Sequence, residues 1–65
     1  MKLINFIEKL NQKTSIQLYD QNNNYIKIAI FLCPYWTKTL YKYKDNDIVE
    51  ISKINDKTYK IQIVL

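Results

Sequence analysis

The residues whose types and spacing best suit chemistry lie in one stretch, Tyr35-Trp36-Thr37-Lys38-Thr39-Leu40-Tyr41-Lys42-Tyr43-Lys44, which holds four aromatics and three Lys and no acid. Aromatic faces stack on nucleobases at roughly 1–3 kcal/mol each, and ammonium groups neutralise phosphates. Tyr35, Trp36, Tyr41 and Tyr43 are therefore candidates to stack on a base or to form an interface between copies. Lys38, Lys42 and Lys44 are candidates to contact phosphate. The stretch also reads as an ordinary exposed edge strand, where Tyr and Lys are common and Lys discourages strand-to-strand aggregation. Trp36 fits a core anchor as well as an interface.

The remaining candidates point to structure. Asp20 with Asn22, Asn23 and Asn24 superficially resembles an oxygen-rich calcium loop. It lacks the spaced carboxylates and the Gly of such a loop, so it reads as a turn. Asp45, Asp47 and Glu50 flank another predicted turn and read as solvated. Cys33 is the one Cys, at the end of a predicted strand, and is expected to behave as a small buried hydrophobe. The chain has no His to activate it and no Gly for a phosphate loop. A non-enzymatic protein is expected, with no cofactor, metal site or intrachain disulfide.

The chain of 65 residues allows one small domain, residues 1–65. Its apolar fraction of 48% is that of a folded protein. A domain this small, without metal or disulfide, gains stability by self-association, so a homo-oligomer is expected. Net charge is +4, but every basic residue is Lys, and Lys, Ile and Asn together fill 28 positions. That bias reads as the codon usage of an AT-rich genome, which weakens the step from basic charge to a nucleic-acid partner. The longest apolar run, Ile28 to Cys33, is far short of the roughly 20 residues that span a bilayer. No signal-peptide pattern opens the chain. The expectation is a cytoplasmic protein without a membrane partner.

These candidates need elements to position them. Leu3, Phe6, Ile7 and Leu10 recur at helical spacing, predicting a helix over about 2–12. Alternation predicts strands over 14–19, 25–32 and 58–64, and residues 48–54 also read as a strand, with Asp and Asn supplying the turn conformations in a Gly-free chain. Ile26, Ile28, Ile30 and Leu32 are read as one face of the second strand. Phe31 makes its other face partly apolar, which suits a central strand. Cys33-Pro34 ends that strand. Residues 38–44 alternate, favouring a further strand, although Trp36, Leu40 and Tyr43 also sit at helical spacing. As a strand, it would put Tyr41 and Tyr43 on one face and Lys42 on the other. The expected fold is α+β, one N-terminal helix packed on a curled four- to five-stranded antiparallel sheet. Its expected core is Leu3, Phe6, Ile7, Leu10, Ile16, Leu18, Ile28, Ile30, Ile51, Ile61 and Ile63.

An amphipathic helix from Leu3 to Leu10 precedes a strand running into an Asp turn, Ile16-Gln17-Leu18-Tyr19-Asp20, and two Ile/Val-rich strands close the chain. This pattern resembles the small proteins of phages and prophages in low-GC bacteria; residues 35–46 depart from it by being longer and more aromatic. The resemblance implies a counter-defence role, either as an anti-CRISPR-like inhibitor or as a sponge for a nucleotide immune signal, and assigns no residue. The resulting expectation is a protein that sequesters a small nucleotide between protomers. The alternatives are an inhibitor docking on a host defence nuclease through a sheet edge or acidic turn, a small single-stranded nucleic-acid-binding protein, and a structural assembly subunit.

Overall fold

The computed structural model describes residues 1–33 and 35–65. The expected strand stop at Pro34 lies outside them. The elements are α1 (Leu3–Ile7), β1 (Thr14–Asp20), β2 (Tyr25–Phe31), α2 (Lys38–Lys42), β3 (Ile48–Asn55) and β4 (Thr58–Ile63). The fold is α+β, with two short helices and a four-stranded mixed sheet in the order β2-β1-β4-β3.

Two tight hairpins build the sheet. In the first, Asp20 Oδ1 accepts the backbone N–H groups of Asn22 and Asn24 at 2.8 and 2.9 Å. Asn23 takes the left-handed conformation at φ 66°, which Asn tolerates better than other side chains. In the second, Asn55 Oδ1 accepts the Lys57 N–H at 2.9 Å. The expectation that Asp and Asn would make these turns is met.

The expected all-antiparallel sheet is not found, because β1 pairs with β4 in parallel, Ile16 beside Tyr59 and Leu18 beside Ile61. A parallel pair needs a long crossover, and β2, α2 and β3 together supply it. The predicted strand over 38–44 is instead α2. Leu40 there is fully buried, so its helical spacing with Trp36 and Tyr43 outweighs the alternation of Tyr and Lys. The predicted helix over 2–12 stops early. After Ile7, Lys9 and Leu10 donate to Phe6 and Ile7, a tighter three-residue spacing that closes the helix. The first N–H groups of the helix need no side-chain cap, since Leu3 and Ile4 donate to the carbonyls of Asn46 and Lys44.

Both helices cover the same sheet face. The core holds Leu3, Ile7, Ile16, Leu18, Ala29, Phe31, Leu40, Ile61 and Ile63. Phe6, Leu10 and Ile51 pack against it half-buried. Ile28 and Ile30 do not belong to it: they are 51% and 38% exposed on the opposite face. β2 is an edge strand, not the expected central one. Its register pairs Ala29 with Ile16 and Phe31 with Thr14, so the inward row is Ala29 and Phe31, and the isoleucines face out. Cys33 is exposed rather than buried. Among the described residues no helix is long and apolar enough to cross a membrane.

Candidate anion-binding site

The five residues of α2 present three different faces. Leu40 points into the core and fixes the helix against β2. Lys38, Thr39 and Lys42, with Tyr43 just past the helix end, line an open depression of about 270 Å³. Its other wall is Ile26 and Lys27 of β2. Tyr41 faces away and is 62% exposed.

A bulge builds the β2 wall. Leu18 pairs with Lys27 but Tyr19 pairs with Tyr25, so Ile26 is the extra residue on β2. A bulge re-aims the side chains beside it. Ile26 packs half-buried against the core at the foot of the depression, and Lys27 stands at its rim.

The electrostatics of this wall are one-sided. Lys27, Lys38 and Lys42 converge there, and the lining includes no acid. The two ion pairs among the described residues are Lys44–Asp45 at 2.9 Å and Lys53–Asp56 at 3.7 Å, and neither involves these lysines. Lys38 and Lys42 lie one helical turn apart, a like-charge spacing that destabilises a helix by about 0.2–0.5 kcal/mol. α2 is too short to hold itself together, so it depends on the packing of Leu40. The Lys42 ammonium lies 5.3 Å from the centre of the Tyr43 ring, leaving the ring beside the charge. A lining of three Lys, one Thr and one aromatic residue, with no acid, suits a phosphate-bearing ligand.

Of the seven residues singled out in the sequence, the structure brings Lys38, Lys42 and Tyr43 together. Trp36 sits half-buried with its ring edge-on to Phe31, centroids 5.9 Å apart, and so serves the core. Tyr35 is 74% exposed and exchanges backbone hydrogen bonds with Leu32. Tyr41 and Lys44 face each other, the Lys44 ammonium 5.5 Å from the Tyr41 ring centre. Lys44 is also held by Asp45, and that hydrogen bond raises the Lys44 pKa and lowers that of Asp45. Sequence reasoning missed Ile26, Lys27 and Thr39. Lys27 falls two and four positions before Ala29 and Phe31, so it shares their sheet face and turns toward α2.

A second depression of about 270 Å³ lies on the other sheet face, lined by Asn23, Glu50, Ser52, Lys60 and Gln62. Its Lys60 ammonium is 4.4 Å from the Tyr19 ring centre, and Glu50 balances its charge. It lacks the uncompensated positive charge of the first. Comparison of the chain with family models, with curated proteins and with solved structures finds no match.

Proposed function

We propose that this chain is a non-enzymatic module that captures a small phosphate-bearing ligand in the depression between α2 and β2. The observation that carries this reading is the convergence of Lys27, Lys38 and Lys42 without a carboxylate. Lys27, Lys38 and Lys42 contact the phosphates, Thr39 donates its hydroxyl, and Tyr43 offers its ring to a base. Among such ligands we favour a small signalling nucleotide, the class implied by the resemblance to phage counter-defence sponges. Stacking and phosphate contacts worth about 1–3 kcal/mol each bring a few such groups to micromolar affinity. The open volume of about 270 Å³ falls just short of the roughly 300 Å³ at which ligand pockets begin. One copy therefore offers a landing surface, and a second copy would complete the enclosure.

The test is calorimetry with cyclic dinucleotides, cyclic ADP-ribose isomers and ATP, together with amide shift mapping. The expected result is micromolar binding that weakens with salt, shifts Lys27, Thr39 and Tyr43, and falls at least tenfold in Lys38→Gln. No heat across the panel at tens of micromolar protein overturns the proposal, as do shifts confined to the other sheet face. The inhibitor reading then leads.

A further inference from the structure

The two edges of the sheet are treated differently. β3 loses register twice against β4, leaving Val49 and Ile54 as extra residues. At its start, Ile48 donates its N–H to the Met1 carbonyl and Lys2 bridges to Asp47. Bulges and covering segments are the usual ways of blunting a sheet edge. β2 shows no bulge along its last five residues: from Lys27 to Phe31 it stays in register with β1. Among the described residues, no backbone hydrogen bond of that segment runs to any partner other than β1. Alternate residues of such a strand turn their N–H and C=O outward. Its sheet face away from the helices carries Ile28 and Ile30, with Tyr25 and Leu32 exposed at either end.

We propose that β2 is the seam between two copies of this chain, paired antiparallel and edge to edge into one continuous sheet of eight strands, four from each copy. An antiparallel strand meeting itself is self-complementary about a twofold axis. Centred on Ala29, the pairing sets Ile28 of one copy opposite Ile30 of the other, and the contact occurs twice. Ile28 to Leu32 carries no charge, so two chains of net charge +4 meet there without like charges in contact at the centre. Ile28 and Ile30, exposed on the outer sheet face, would meet side by side across the seam as cross-strand pairs. The pairing puts the two lysine depressions on one sheet face, either side of the axis. That last consequence rests on the anion-site reading, whereas the seam itself does not.

The experiment is sedimentation velocity at tens to hundreds of micromolar, with amide exchange over residues 27–31. The expected result is a mass of two copies in the parent chain and of one copy in Ile28→Lys, with the cooperative melt kept. Ile28→Thr, which keeps the β-branch, gives the same reading should the Lys variant lose its melt. Alternate amides of the segment gain protection as the dimer forms. A parent chain that stays monomeric at hundreds of micromolar overturns the seam. So does a dimer that Ile28→Lys leaves intact, or one whose edge amides exchange at the monomer's rate. The double variant Lys38→Gln, Lys42→Gln separates the two proposals, because it loses nucleotide binding and keeps the dimer mass.

Discussion

Leu18 lies directly beside Ile61 across the parallel pair of β1 and β4, and both side chains are fully buried. This contact joins the two hairpins, and α1 covers it through Leu3 and Ile7, with the Phe6 ring edge-on to Tyr59 at 5.2 Å. The core depends on that junction, since residues of both hairpins and both helices bury their apolar side chains in one shared cluster.

Truncation at the junction is therefore severe. Ile61→Ala removes buried volume at a cost of about 2–5 kcal/mol. A chain of this size has only about 3–10 kcal/mol in total, so the cooperative urea transition should weaken drastically or vanish. Ile30→Asp, on the exposed face of β2, should keep a sharp transition.

Thr37 precedes α2 with its hydroxyl buried and, among the described residues, without a hydrogen-bond partner. Leaving such a group unsatisfied costs about 1–3 kcal/mol. Thr37→Val keeps the shape and removes the hydroxyl. It should raise the stability measured by urea unfolding by about 1 kcal/mol.

Lys38→Gln should divide stability from binding. Relief of the Lys38–Lys42 repulsion stabilises the free protein by a few tenths of a kcal/mol. Nucleotide affinity falls at the same time. A melt and a titration on one sample check both directions, and loss of stability in this variant would contradict the electrostatic account of α2.

Acid stability should rest on Asp20 and Asp45. The Asn24 backbone N–H, foremost among its neighbours, holds the Asp20 carboxyl below its ordinary value. The hydrogen bond from Lys44 does the same for Asp45. A carboxyl depressed on folding stabilises fully above its unfolded pKa of about 3.9, and the gain is lost as pH falls through the lower folded value. Melting temperature should therefore drop below about pH 4, and less so in Asp20→Asn, Asp45→Asn.

Asn23 should accept Gly and reject β-branched residues. Its φ of 66° lies in the region that costs other side chains about 1–2 kcal/mol. Asn23→Val should lower stability by that amount in urea unfolding, whereas Asn23→Gly should be close to neutral.

Local signals carried most of the elements. All four strands were located to within a residue or two, three of them by alternation, and the Asp and Asn clusters located both hairpin turns. What local pattern could not convey was pairing. β2 is apolar on both faces, so nothing in its own residues says that Ala29 and Phe31 turn inward rather than Ile28 and Ile30. The partner decides, through the register against Ile16 and Thr14. Likewise, the alternating Tyr and Lys of residues 38–44 suited a strand, and burial of Leu40 against a distant sheet made a helix of them. The site was half legible for the same reason. Lys38, Lys42 and Tyr43 were visible as a local cluster, but Lys27 joins them only through the packing of α2 on β2.

The order β2-β1-β4-β3 also sets the tempo of folding. Each hairpin closes over a short turn and can form as a local unit on the microsecond scale. The parallel junction joins segments from opposite ends of the chain, so its loop-closure entropy must be met before any contact there rewards it. On that topology the docking of the two hairpins, with α1 over their join, is expected to be the slow step. Until it happens, the apolar edges of both hairpins stand open, and that interval is when this chain is most prone to pair with the wrong strand.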